Sequence, residues 1–207
     1  DCGSGKIPVT VTVCVPSCTV SSGRIKDLFQ FAGLAKENGE EAVQLFKDKH
    51  FEDVFLYRDN RNIALYRGLI AGTGKGLAME EFLIAIHKKI PIQISVDKTS
   101  FSYDNCQTEF REEVVIRKDN WGVGEFHIVS DAEFLTPERK IVWTDNFSGD
   151  KYPLSFTVNP EKMVPGKNYG RITIKTVRQS IDIDVMAVKP GVRHEDVVKN
   201  IEYQNMW

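Results

Sequence analysis

Tyr152-Pro153-Leu154-Ser155-Phe156-Thr157-Val158, Gly170-Arg171-Ile172-Thr173-Ile174 and Ile181-Asp182-Ile183-Asp184-Val185 decide the fold of this chain. In each run apolar residues alternate with small or polar ones, the period of a β-strand with one face buried and the other in water. A turn-rich segment, Asn159-Pro160-Glu161-Lys162-Met163-Val164-Pro165-Gly166-Lys167-Asn168, separates the first two. Alternating runs broken by Gly, Pro and Asn clusters predict an immunoglobulin-like β-sandwich. Upstream the same period runs through Ile92, Ile94 and Val96, then Phe101 and Tyr103, Val114 and Ile116, Phe126 and Ile128, and Ile141 with Trp143. About seven to nine strands within residues 92–188 is the size of one sandwich.

Before Pro91 the period changes. Ile25, Leu28, Phe29 and Ala32 fall at helical spacing, as do Met79, Phe82, Leu83 and Ile86. Gly39, Asp59-Asn60 and Gly72-Thr73-Gly74 punctuate the stretch, so about four or five short helices are expected, with Ser21 or Ser22 as the first N-cap. Ahead of them, Ile7, Val9, Val11, Val13 and Val15 alternate as one more strand, patterned like residues 180–187. The expected fold class is therefore α+β: a lone strand, an all-helical subdomain, then the sandwich. The domains read as 1–20, the last strand of an upstream sandwich plus linker; 21–91, helical; 92–188, sandwich; and 189–207, a tail with helical character. On this reading the chain is an excised part of a longer modular protein.

With 207 residues, 42% apolar and 27% charged, the chain has an ordinary globular balance. A net charge of −2 with scattered basic residues leaves no electrostatic footprint for nucleic acid. No apolar run approaches the ~20 residues of a membrane-spanning helix. Cys2, Cys14, Cys18 and Cys106 match no common zinc or redox spacing and are expected as free thiols in a reducing compartment.

Chemistry-bearing patterns are few. Gly72-Thr73-Gly74-Lys75-Gly76 fails as a phosphate loop: Leu69 stands at the first glycine position, Gly76 replaces the magnesium-binding Ser or Thr, and a helix precedes it. His50, His87, His127 and His194 show no metal spacing. Asp182 and Asp184 share a strand face, where they could hold a cation or simply keep the strand soluble. Trp143 and Tyr152 fall in phase with core residues and are expected inside, whereas Trp121 lies in an Asp-Asn-Trp-Gly turn and is a candidate contact residue. Tyr57, Arg58, Tyr66 and Arg67 pair the residue types enriched at interface hot spots, and with Trp121 they form the candidate interaction surface.

Several of these segments also carry a resemblance. Gly23-Arg24-Ile25-Lys26-Asp27-Leu28-Phe29-Gln30-Phe31, Phe55-Leu56-Tyr57-Arg58-Asp59, residues 80–89, Ser95-Val96-Asp97-Lys98-Thr99, Lys118-Asp119-Asn120-Trp121-Gly122 and Gly166-Lys167-Asn168-Tyr169-Gly170-Arg171-Ile172 resemble an uncharacterised family of large multidomain bacterial proteins. The resemblance implies a preceding sandwich, this helical insert, a second sandwich and then helical sequence, in a cytoplasmic protein without a signal peptide. It implies no activity.

The expectation is thus a non-enzymatic scaffold or protein-interaction module with no catalytic residue, metal or cofactor. Its partners would be other domains of the longer chain or a separate protein, not nucleic acid or membrane, and strand 7–15 could join two copies as a homodimer. The alternative is a carbohydrate-binding accessory module using exposed sandwich aromatics.

Overall fold

The computed structural model describes residues 17–55, 59–72 and 74–191, and the lone strand, the tail from residue 192, Tyr57 and Arg58 lie outside them. The chain divides into two compact units at Ile90–Pro91.

The first unit opens with an antiparallel hairpin of β1 (Cys18–Val20) and β2 (Gly23–Ile25). This corrects the all-helical expectation for the region and the expected N-cap. Ser21 and Ser22 form the turn, and the turn is fixed because Ser21 donates from both its N–H and its hydroxyl to the Glu41 carboxylate, at 2.6 and 2.7 Å. The first cap is Asp27, whose carboxylate accepts the Gln30 N–H at 2.8 Å and so satisfies one of the unpaired amides of helix α1 (Leu28–Glu37). Helix α2 (Gly39–Lys47) follows after a single residue: Asn38 ends α1 and caps α2, accepting the Glu41 N–H. A 3-10 turn (Phe51–Val54), α3 (Asn60–Ile70) and α4 (Lys75–Ala85) complete the unit. Its centre is aromatic: Phe31, Phe46, Phe51 and Phe82 are fully buried, and Phe31 meets Phe51 edge-on at 4.6 Å between ring centres. Such contacts add about 0.5–1.5 kcal/mol per pair beyond area burial.

The second unit is a β-sandwich, as the alternation predicts. One sheet has five strands in the order β4 (Ser100–Tyr103), β11 (Ser180–Lys189), β10 (Gly166–Lys175), β6 (Glu125–Ser130) and β8 (Ile141–Trp143). The other has four: β3 (Ile94–Val96), β5 (Phe110–Lys118), β9 (Lys151–Val158) and β7 (Leu135–Pro137). The inward residues are those the period selects: Leu154, Phe156 and Val158 face Ile172, Ile174, Ile183 and Val185, all buried. Each contributes about 1.5–3 kcal/mol by leaving water.

The chain changes sheet between β3 and β4, and β4 then runs parallel to β11. Gln179 ties the two sheets near this crossing. Its side-chain amide accepts the Ile94 N–H at 2.8 Å and donates to the Ile94 carbonyl at 2.7 Å, replacing the strand partner that β3 lacks on that side.

Candidate interaction surface

Of the residues singled out on the helical unit, Tyr66 is not at the surface. It is 6% exposed and its ring packs among Phe46, Phe51 and Phe82, with the hydroxyl donating to the Phe46 carbonyl at 3.0 Å. Arg67, one residue on, points outward and is held by Glu52 through Nε and Nη2 at 2.8 and 2.6 Å. Adjacent helical residues diverge by about 100°, so one enters the core while the other leaves it. The hydrogen bonds from Arg67 hold the Glu52 carboxyl below its usual range.

Trp121 is half-buried in its turn, where its N–H donates to the Asn120 side chain at 2.9 Å. Trp143 departs from expectation: it is 39% exposed, and Val142 takes the core position on β8. Ile141, Val142 and Trp143 are all apolar, so the strand carries no alternation from which its phase could be read. Tyr152 is buried as expected.

Turning Trp143 outward places it on the open face of the five-stranded sheet. Pairing Glu125 with Trp143, His127 with Ile141, and Lys175 with His127 brings Val129, Ile141 and Trp143 to one end of this face, around the His127–Glu125 contact of 3.2 Å. Val129 and Ile141 are 51% and 42% exposed.

The other end of the face is a groove of about 720 Å³ lined by Lys98, Ser100, Ser102, Tyr169, Arg171 and Met186, among others. Tyr169 is 71% exposed. Arg171 lies flat across β11, its Nε donating to Asp184 at 2.7 Å and its Nη1 3.3 Å from Asp182. The two carboxylates thus hold a cation, as their shared strand face allowed, and that cation is a side chain of the same sheet. The hydrogen bond to Asp184 stabilises the guanidinium charge and raises its pKa further. Sequence reasoning passed over Arg171, whose signal lay in the outward phase of β10, opposite to that of Ile172 and Ile174.

Beneath this groove Gly170 faces inward. A Cβ there would stand 2.6 Å from Ala132 Cβ and 2.7 Å from Leu135 Cδ1, so only glycine lets the segment after β6 pack onto β10. Asp131 fixes that segment by accepting the Arg171 N–H at 2.6 Å.

Among the described residues no group of three or more His, Cys, Asp or Glu side chains is placed to hold a metal ion, and no helix is long and apolar enough to cross a membrane. Cys18 and Cys106 are buried free thiols; Cys2 and Cys14 lie outside the described residues.

Fold and surface together define a two-unit protein, one unit helical with a hairpin and the other a β-sandwich with an amphipathic open sheet. The chain belongs to the DUF5717 N-terminal family, a family of unknown function whose model matches residues 1–205. No curated protein matches it in sequence. Among solved structures it is similar to tripeptidyl peptidase 2 (TM-score 0.40, 14% identity, covering 48% of this chain and 10% of that one). It is also similar to PapD-like domain 7 of human CEP192 (TM-score 0.38, 7% identity, 48% and 87% coverage). A third is a C. elegans MSP family member (TM-score 0.32, 14% identity, 46% and 96% coverage). The chain therefore spans only a tenth of the peptidase, and likenesses this weak carry no functional inference.

Proposed function

We propose that this chain is a non-enzymatic scaffold and protein-interaction module, with the open face of the five-stranded sheet as its contact surface. One observation carries the reading. That face combines exposed aromatic and aliphatic side chains, Tyr169, Trp143, Val129 and Ile141, with an arginine already held in place by two carboxylates. Aromatic residues and Arg are the types enriched at interface centres, and a pre-fixed guanidinium loses little entropy on binding. The partner is another domain of a longer chain or a separate protein, in a cytoplasmic setting.

The test is a photoreactive phenylalanine analogue at position 169 in the full-length protein, irradiated in its own cells. A discrete protein adduct is expected there and not from position 151, an exposed lysine on the opposite sheet. Adducts of equal yield at both positions, or at neither, would overturn the reading.

Carbohydrate binding is the second reading, favoured by the exposure of Trp143. Sugar platforms need rings close together in one plane, however. Trp143 is level with position 177 of the β10 side and Tyr169 lies eight residues away along it, roughly 26 Å at 3.3 Å per residue. A site would have to rest on Trp143 alone. Glycan binding abolished by Trp143→Ala would replace the scaffold reading.

A further inference from the structure

We infer that the sandwich is a tension-bearing link in its chain, with β3 as a strap that yields first and the β4–β11 seam as the catch behind it. The chain enters this unit at Pro91, through β3 and then β4, and leaves it by β11. β4 and β11 are neighbours, and theirs is the one parallel pairing among the described residues. Parallel neighbours at entry and exit have a mechanical consequence. The entry end of β4 and the exit end of β11 lie at opposite ends of the seam, so a pull on the chain slides the two strands past each other. Their hydrogen bonds are then strained together and must break together, whereas a hairpin pulled from its open end gives them up one at a time.

The seam is also longer than β4 itself. The Asp184 N–H donates to the Thr99 carbonyl at 2.9 Å before the strand begins, and the Cys106 N–H donates to the Val188 carbonyl at 2.8 Å after it ends. Between them the Phe101 ring is buried against Phe156, edge-on at 5.4 Å between centres. Sliding the seam would drag that ring through a close-packed interior.

β3 is fastened differently. Only Ile94, Ser95 and Val96 pair with β5, and much of the remaining hold comes from side chains. At one end the Val115 N–H donates to the Asp97 carboxylate at 2.8 Å, and at the other the Gln93 N–H donates to that of Asp119 at 2.8 Å. On the outer side the Gln179 amide takes both backbone groups of Ile94. Because β3 precedes β4, tension entering at Pro91 reaches this short strand first and strains the seam only after β3 has come away. Its release lengthens the chain by at most about 30 Å, at about 3.6 Å per residue, while the seam stays closed.

No partner at the sheet face is needed for this. The test is force spectroscopy of the whole chain, with handles on Ile90→Cys and Pro190→Cys in a Cys2→Ser, Cys14→Ser background. Both attachment positions are exposed, and Cys18 and Cys106 are buried away from the coupling reagent. The expected trace is a short extension of at most about 30 Å, then a sharp rupture that releases about 350 Å. Moving the first handle to Lys167, which is exposed and pairs with Val188, peels β11 from β10 instead. The rupture force is expected to fall several-fold at the same pulling speed. Asp97→Ala with Gln179→Ala is expected to remove the short extension and keep the rupture, in a chain that circular dichroism shows to be folded. Equal rupture forces in the two geometries, which leave every clasp and core residue native, would overturn the inference. So would a wild type without the short first step, or a folded double variant that loses the rupture.

Discussion

His87 sits at φ +57°, the left-handed conformation that closes α4: the Lys88 N–H reaches back to the Leu83 carbonyl at 2.9 Å and the His87 N–H to Ile84 at 3.0 Å. This is the position where glycine is usual, because a Cβ crowds the backbone there by about 1–2 kcal/mol. His87→Gly is therefore expected to stabilise the first unit by up to about 1 kcal/mol, read as a higher denaturant midpoint with an unchanged slope. Gly170 poses the opposite case. Gly170→Ala puts a methyl into the Ala132 and Leu135 side chains, and the segment after β6 must move. Overpacking of this kind costs about 1–3 kcal/mol, measurable in the melting of the sandwich, and Ala132→Gly in the same chain is expected to return part of it. Neither position was legible in advance. A histidine at the end of a helical pattern suggests charge against the helix dipole, and a glycine opening the run Gly170-Arg171-Ile172-Thr173-Ile174 reads only as the start of a strand. What distinguishes them is backbone angle and distant packing, which no local pattern encodes.

At the scale of elements, sequence and structure agree where the signal is long. β5, β9, β10 and β11 run 8–10 residues, enough for alternation to set both existence and phase. They disagree where an element is three residues long. β7, with Pro137 at its end, gives no period at all, β8 gives the wrong one for Trp143, and the Ser21-Ser22-Gly23 hairpin turn is built from the same residue types as a helix cap. Two ion pairs bring the helical elements within reach of experiment. Glu80 on α4 and Lys89 beyond it form a buried pair, with the Lys89 side chain wholly enclosed. Lys89→Met alone takes the ammonium away from a buried carboxylate and is expected to destabilise the first unit, while the double variant with Glu80→Leu is expected to recover most of that, because a packed apolar pair avoids the desolvation of both charges. Glu52 and Arg67 are exposed, so their effect is read through pH. Arg67 lowers the folded-state pKa of Glu52. Its contribution is therefore present above the unfolded value of about 4.3 and is lost as pH falls through the lower folded value. The stability difference between the wild type and Glu52→Gln is expected to shrink steadily over that acid range and to vanish below it.

For the whole molecule, the division at Ile90–Pro91 matters because each unit encloses its own core, one built on aromatic rings that meet mostly edge-on and the other on alternating strands. The cysteines provide a probe in each. Cys18 is buried in the first unit, its thiol donating to the His50 carbonyl at 3.1 Å, and Cys106 is buried in the second, its N–H donating to Val188 at 2.8 Å. Burial pushes both thiols up in pKa, so the reactive thiolate is scarce as well as shielded. Each should react only when its own unit opens, at a rate set by the population of the open form. In a Cys2→Ser, Cys14→Ser background both thiols are expected to be modified slowly under native conditions and at once in denaturant. Adding Gly170→Ala should then accelerate Cys106 by the factor its stability loss implies, about 5- to 160-fold for 1–3 kcal/mol, and leave Cys18 unchanged. Equal acceleration at both cysteines would mean that the sandwich carries the helical unit with it when it unfolds. The chain would then be one cooperative body despite its two cores.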